Sequence, residues 1–287
     1  MLLCTLQYRF ISKIGQEEKT MTSKRHHPFV TAALALALVL CMLAPAAFSA
    51  PALAEEPSVV ITLSDDGITA DYPGVYADGS VLTITLPGDY LLNGTLTNGQ
   101  IIVDCEREGK VKLYFGGVSV HCENAPALHI KKCSPRLSIE LVEGTVNELS
   151  VGTAFEKGTK EDAVIYSKSD LTITGTGALN VKGAYQDGIV SRDDLRIKGG
   201  KINVEAAHNG ILGKDCVEIF DGEVTVRAGN DGIKTTNEDK DCGYISMEAG
   251  TVSITCGDDP LSYVHEFFIT GGTINAVVDS SLKKSDD

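Results

Sequence analysis

The chain has 287 residues, with 39 Asp and Glu against 25 Lys and Arg, a formal charge of −14 at pH 7. A field of that sign repels nucleic acid and anionic membrane and favours cations. With 43% apolar residues, 29 Gly and no Trp, the chain can bury a large core but has no indole with which to grip a flat crystalline surface.

Residues 1–54 read as a secretory signal peptide, with the natural start at Met21. Lys24 and Arg25 supply a positive n-region, Phe29 to Leu43 an apolar h-region, and Ala52-Leu53-Ala54 a small-x-small cleavage signal. The apolar run is short for a membrane span and is followed by Pro45, Pro51 and Pro57. The expected location is therefore extracellular, with possible attachment at the cell surface. Removing this segment takes away five basic and two acidic residues and deepens the charge to −17. Six cysteines remain: Cys105, Cys122, Cys133, Cys216, Cys242 and Cys256. Two readings stand for them. They form disulfides, with Cys216 and Cys242 the first pair to test because they precede equivalent strands of successive repeats, or they are small apolar fillers of a stacked core.

Residues 55–109 alternate apolar and polar side chains between Gly, Asp and Pro turns, as in SVVITLSDDGITADY and GSVLTITLPGDYLLNGTL. They are expected to form an N-terminal cap and the first rungs of a stacked fold, since an open first rung invites edge-to-edge association. KVKLYFGGVSVHCE, ALHIKKC and RLSIELVEGTVNELS fit two irregular rungs over 110–149. The stretch after Ser150 has no period and is expected to loop out to Lys160.

From Glu161 to Ser280 one short pattern is written five times: an Asp/Asn-Gly-Ile-type turn, an alternating strand, a Gly-centred turn and a second alternating strand. Gly117, Gly144, Gly177, Gly200, Gly222, Gly250 and Gly272 mark this pattern at spacings of 27, 33, 23, 22, 28 and 22 residues. A unit of about 22 extended residues traces three short strands and three corners rather than a strand and a helix. The expected fold is all-β, a parallel β-helix over 110–280. Its inward columns are Ile165, Ile189, Ile211, Ile233 and Leu261; Leu171, Leu195, Val217, Ile245 and Phe267; and Ile202, Val224, Val252 and Ile274. Thr235 to Gly243 is expected to be a second loop. Residues 281–287 read as a tail after a complete rung, as in an incomplete version of a longer protein.

The most informative column is polar. Asp187, Asn209, Asp231 and Asp259 precede the inward Ile or Leu, with Asp162 one residue out of register. Like charges stacked about 4.8 Å apart repel unless something lies between them. A second set of acids follows at Asp193, Asp194 and Asp215, then Asn237, Glu238 and Asp239. Oxygen donors without His or Cys partners favour Ca2+ over Zn2+. Asp-Gly and Asn-Gly are also good turn formers, which accounts for each dipeptide but not for the added acids.

Lys168, Arg192 and Lys214 form a basic column, with Lys234 as a candidate further member. Beside Ca2+ such a base suits β-elimination from a uronic acid, as in a polysaccharide lyase. Equally, Lys168 with Asp170, Arg192 with Asp193 and Lys214 with Asp215 make a surface ion-pair ladder. Sugar faces stack on flat rings, and Tyr166, Tyr185, Tyr244 and Tyr263 lie at or near corners. Tyr166 and Tyr185, with Arg192 and Lys214, are the expected sugar-binding residues. The four His outside the signal segment form no ligand pair.

The runs ITLSDDGITADYPGVYADGSVLTITLPGDYLLNGTLTNGQIIVD, DAVIYSKSDLTITGTGALNV, YQDGIVSRDDLRI and GNDGIKTTNEDKDCGYISMEAGT resemble the bacterial carbohydrate-binding domain-containing family. The resemblance covers nearly all of 58–280. It implies a polysaccharide-lyase-like right-handed parallel β-helix, secreted, that binds Ca2+ and plant polysaccharides such as cellulose and polygalacturonate. It also implies a calcium-bearing face at Asp187, Asp193, Asn209, Asp215 and Asp231. The sequence departs from the pattern where Gly213 and Cys216 replace the Ser and Asp of the preceding rung, and where Asp259-Pro260 replaces Asp-Gly. The expected function is a non-catalytic polysaccharide binder with no nucleic-acid or protein partner. The alternatives are a lyase using Lys168, Arg192 or Lys214, and a structural or adhesive spacer.

Overall fold

The computed structural model describes residues 57, 59–155 and 160–283. The signal-peptide expectation for 1–54 therefore lies outside the described residues, as does most of the 281–287 tail. Apart from one 3-10 turn at Ser280–Leu282, every regular element described is a β-strand.

The strands stack into a parallel β-helix with three faces. The first face runs through Val81–Ile84, Gln100–Glu108, Leu128–Ser134, Ala163–Ser167, Asp187–Ser191, Ile211–Gly213, Ile233–Lys234 and Leu261–Ser262, so there are about eight turns. The second face includes Arg136–Leu141, Asp170–Gly175, Tyr244–Met247 and Glu266–Ile269. The third includes Val146–Val151, Ala178–Gly183, Thr251–Cys256 and Thr273–Val278. In four rungs one long strand, Gly88–Leu96, Val111–Cys122, Asp194–Ala206 or Cys216–Ala228, serves both the second and third faces. The corner between those faces is a bend rather than a loop. It turns through glycines with positive φ, 90° at Gly200 and 87° at Gly250. At Gly250 a Cβ would also run into the Gly222 carbonyl of the rung before.

Register confirms the three inward columns. Ile165, Ile189, Ile211, Ile233 and Leu261 are paired in series, as are Leu171, Leu195, Val217, Ile245 and Phe267. Ile202, Val224, Val252 and Ile274 form the third. The rung from Asp187 to Ala206 buries Ile189, Leu195, Ile197, Ile202 and Val204 to 1% exposure or less. Each such side chain contributes roughly 1.5–3 kcal/mol before chain entropy is counted. Because every rung contributes a similar set, the core is one continuous column.

The N-terminal segment adds strands to two of the faces. Val59–Leu63 adds parallel to the second face beside Gly88–Leu96, while Val75–Asp78 and Val81–Ile84 form an antiparallel hairpin. Rung stacking thus begins at Val81, within the 55–109 segment. All six cysteines described are free thiols. Five are buried, and Cys242 is half-buried.

Candidate functional site

Two polar columns flank the first face, one where each rung enters it and one where it leaves. At the entry corner, Asp187, Asn209 and Asp231 are buried to 8%, 3% and 4% exposure. Each passes a side-chain oxygen to the backbone of the next rung. Asp187 Oδ1 accepts the Asn209 N–H at 2.8 Å, Asn209 Oδ1 that of Asp231 at 3.3 Å, and Asp231 Oδ1 that of Asp259 at 3.2 Å. Further donors join the column. Asn209 Nδ2 and His208 Nδ1 lie 3.0 and 2.9 Å from Asp187 Oδ1, and Lys234 Nζ donates to Asp231 Oδ2 at 2.7 Å. This column is a hydrogen-bonded ladder that satisfies backbone amides at a corner where the sheet cannot. Its bond to Asp187 holds the His208 imidazole above its ordinary pKa.

At the exit corner the acids face one another. Asp193, Asp194 and Asp215 each place a carboxylate oxygen within 4.8 Å of the others, and all three are half-buried. Burial, the charge of Asp170, and then Asp215 and Asp194 push the Asp193 carboxyl up to about 6. Asn237, from the Thr235–Gly243 segment, donates to Asp215 Oδ1 at 2.7 Å. As expected, that segment is an irregular loop with an exposed tip at 238–241; its ends are tied down, Thr236 and Asn237 donating their N–H groups to Lys214 O and Gly243 to Asp215 O. Here the chain supplies hard oxygen donors within one cation's reach, with at least one anion disfavoured.

The five residues expected to hold metal therefore fall into two groups. Asp193 and Asp215 meet, joined by Asp194. Asp187, Asn209 and Asp231 lie on the ladder, each with one oxygen on the next rung's amide.

Arg196 was missed by reasoning from sequence. It points outward from the second face, and its guanidinium reaches three rungs. Nη1 donates to Asp170 Oδ2 at 3.1 Å, Nε donates to Glu218 Oε2 at 2.7 Å, and Nη2 pairs with Asp194 Oδ2. Burial opposes its charge, but Asp194, Glu218 and Asp170 outweigh it and raise its pKa. The Cys216 thiol donates to the other Asp194 oxygen at 3.0 Å. Burial, then this bond, drives the thiol pKa upward, so Cys216 is an uncharged filler beneath the acids. The register of Thr172, Arg196 and Glu218 in successive rungs was the signal available.

The basic column is real for three members. Lys168, Arg192 and Lys214 follow the paired residues Ser167, Ser191 and Gly213. Lys234 does not belong to it. It pairs with Leu212, two positions earlier in the rung, and joins the ladder through Asp231. Lys168 is bound to Glu161 at 2.7 Å, which holds its ammonium above the ordinary pKa. Lys214 lies 3.5 Å from Asp215, and Arg192 is exposed. A lysine held more firmly charged is the opposite of a general base.

The aromatic residues are dispersed. Tyr166 is 5% exposed, with its ring edge-on to His129 at 5.8 Å. Tyr185 stacks on Phe155 at 5.2 Å, near the entry corner. Tyr166 lies within reach of the charges of Arg192 and Lys168, whereas Tyr185 stands at the other corner. On the second face, beyond Arg196, Tyr244 and Phe268 stack at 5.7 Å and 22°, with Phe268 46% exposed. The Tyr244 hydroxyl donates to Glu218 Oε1 at 3.2 Å, which ties this pair to the Arg196 network.

A family profile described as "Carbohydrate-binding domain-containing protein" matches residues 78–287. A protein of the same description from Acetivibrio thermocellus is 39% identical over 224 residues, covering 76% of this chain and 78% of the relative. Among solved structures, a polysaccharide lyase-like protein from C. thermocellum, solved as a gadolinium derivative, superposes with a TM-score of 0.70 at 31% identity. That match covers 77% of this chain and 95% of the other. Repeat, register and similarity agree, and the chain belongs to the carbohydrate-binding domain-containing family.

Proposed function

We propose that the protein is a secreted, calcium-stabilised, non-catalytic binder of plant cell-wall polysaccharide, of the polygalacturonate or cellulose type. The observation that carries this reading is the exit-corner group of Asp193, Asp194 and Asp215. Three carboxylates there share a space in which Asp193 is held partly protonated near neutrality. A divalent cation replaces that proton and cancels the repulsion, and Ca2+ accepts six to eight oxygens in flexible geometry. Three carboxylates leave coordination positions for water or for a sugar carboxylate. The gadolinium in the similar solved structure is a hard, oxygen-seeking cation, consistent in chemistry with such a corner. Family membership supports the carbohydrate, and the charge of −14 accounts for a metal intermediary with an anionic polysaccharide.

The test is retention of the protein on polygalacturonate and on cellulose in millimolar Ca2+ and in EGTA. The reading expects retention on polygalacturonate that is lost in EGTA. Absence of retention on both supports in Ca2+ would remove it.

A further inference from the structure

We propose that the outward side of the third face, from Ala178–Gly183 to Thr251–Cys256, is a docking groove for an extended, uncharged polysaccharide chain of the β-glucan type running along the helix axis. This rests on the carbohydrate-binding reading and deepens it, by placing a neutral, metal-independent subsite apart from the acidic corner.

The three faces differ in what their outward side chains do. On the first, Tyr166, Val190 and Leu212 are covered, at 5%, 3% and 8% exposure, in an apolar cluster of their own. On the second, Arg196 clamps Asp170, Asp194 and Glu218. On the third, Leu179, Val181, Ile202 and Val204 point to the core, so the alternate residues Asn180, Lys182, Asn203 and Glu205 point out. Register continues them across the stack. Asn180, Asn203, Thr225 and Ser253 make one column, and Lys182, Glu205, Arg227 and Thr255 make a second beside it. Asn203 Nδ2 donates to Asn180 Oδ1 at 2.9 Å, which leaves Asn180 Nδ2 as a donor and Asn203 Oδ1 as an acceptor for a ligand. Lys201 and Glu223 pair across these rungs at 3.2 Å, but among the described residues Lys182, Glu205 and Arg227 enter no ion pair. These strands have a neighbour on each side, so their open groups are not the exposed end of the stack.

Shape and charge specify the occupant. Two open grooves of about 400 and 440 Å3 lie on this face, and Lys182, Glu205 and Arg227 line both. Toward the entry corner the lining shrinks to Gly183, Ala206, Ala207 and Gly229, where a Cβ at Gly229 would run into the Ala207 carbonyl. Small residues there keep the groove open to a chain lying along it. The columns repeat at about 4.8 Å, close to the advance of one sugar in an extended glucan, so successive sugars meet an equivalent set of groups. Amide, hydroxyl, ammonium and carboxylate side chains together offer sugar hydroxyls both donors and acceptors. Lys182, Lys201 and Arg227 nearly balance Glu205 and Glu223, on a chain whose formal charge is −14. An uncharged chain is therefore neither repelled nor in need of a metal intermediary here, in contrast to a uronate at the exit corner.

The test uses the full chain in native affinity electrophoresis against hydroxyethylcellulose and polygalacturonate, with Ca2+ and with EGTA. Wild type is expected to be retarded by hydroxyethylcellulose equally in both. Glu205→Ala and Asn203→Ala should each weaken that retardation roughly tenfold in Kd, while their retardation by polygalacturonate in Ca2+ stays unchanged. Glu205→Gln keeps an acceptor without the charge and is expected to bind as wild type. Glu205 is exposed, so the melting temperature of Glu205→Ala should not move, and a loss of binding there is not a loss of fold. If both alanine variants bind hydroxyethylcellulose as tightly as wild type, or if EGTA abolishes that binding, the groove is refuted while the family reading stands. Wild type retarded by polygalacturonate in Ca2+ but not by hydroxyethylcellulose would leave the acidic corner and remove the groove. If wild type binds neither polymer, both fall.

Discussion

The entry and exit corners of the first face use the same residue types at the same stacking interval, yet they differ in what their oxygens meet. Along Asp187, Asn209 and Asp231 one oxygen of each accepts the backbone amide of the next rung, and His208, the Asn209 amide and Lys234 add further bonds. Asp193, Asp194 and Asp215 instead crowd one another within 4.8 Å, although Asp194 is also held by Arg196 and the Cys216 thiol and Asp215 by Asn237. Counting acids in a column therefore does not identify a metal site. Where each acid passes an oxygen to the next rung's amide the column is structural; where the acids crowd one another, the cost of their charge is what a cation would relieve on the proposed reading.

The largest expected effect comes from breaking the network that joins the exit corner to the second face. Arg196→Ala strands Asp170, Asp194 and Glu218 in half-buried positions. It should destabilise the cation-free protein by about 3 kcal/mol, discounted from a fully buried pair because the groups are partly exposed. Ca2+ should restore part of that loss, which a urea titration with and without Ca2+ would show. Asn209→Ala removes a donor to Asp187 and the acceptor for the Asp231 amide. It should cost about 2 kcal/mol. Because the ladder holds no cation on this account, that cost should be the same in Ca2+ and EGTA, and a calcium-dependent cost would erase the distinction between the corners.

The inward columns, the three-strand rung and the two irregular early rungs were legible because period-two alternation and a repeat near 22 residues are both properties of the chain itself. What the ladder does was not. An Asp-Gly reads identically whether its carboxylate faces solvent or accepts the next rung's amide, and only stacking reveals the donor. Arg196 was hidden because Asp170 and Glu218 lie 26 and 22 residues away, so no local spacing marks the clamp. Lys234 was misplaced by one structural step. The Thr235–Gly243 insertion blurs the alignment there, and only the pairing of Lys234 with Leu212 settles it.

Smaller effects sharpen the comparison. The folded-state pKa of Asp193, about 6, exceeds its ordinary 3.8, so between those values the folded chain holds the extra proton. Stability from this group is greatest below pH 4 and falls as pH rises through 6. Asp193→Asn should remove that dependence and raise the stability of the cation-free protein at pH 7.5 by on the order of 1 kcal/mol. His208 contributes a slope of the same sign, since its raised pKa confers stability lost as pH rises through it. Melts of Asp193→Asn and His208→Gln across pH 4–8 separate the two. Least of all, Phe268→Ala should change stability by less than about 0.5 kcal/mol, as befits an exposed ring.

The most direct measurement is the thermal midpoint at pH 7.5 in Ca2+ and in EGTA, for wild type, Asp193→Asn and Asn209→Ala. Binding to the native state raises the midpoint by mass action. The account predicts a clear calcium-dependent rise in wild type, the same rise in Asn209→Ala from a lower starting point, and little or none in Asp193→Asn. A wild type indifferent to Ca2+, or an Asp193→Asn that responds as fully as wild type, would contradict the assignment of the cation to the exit corner.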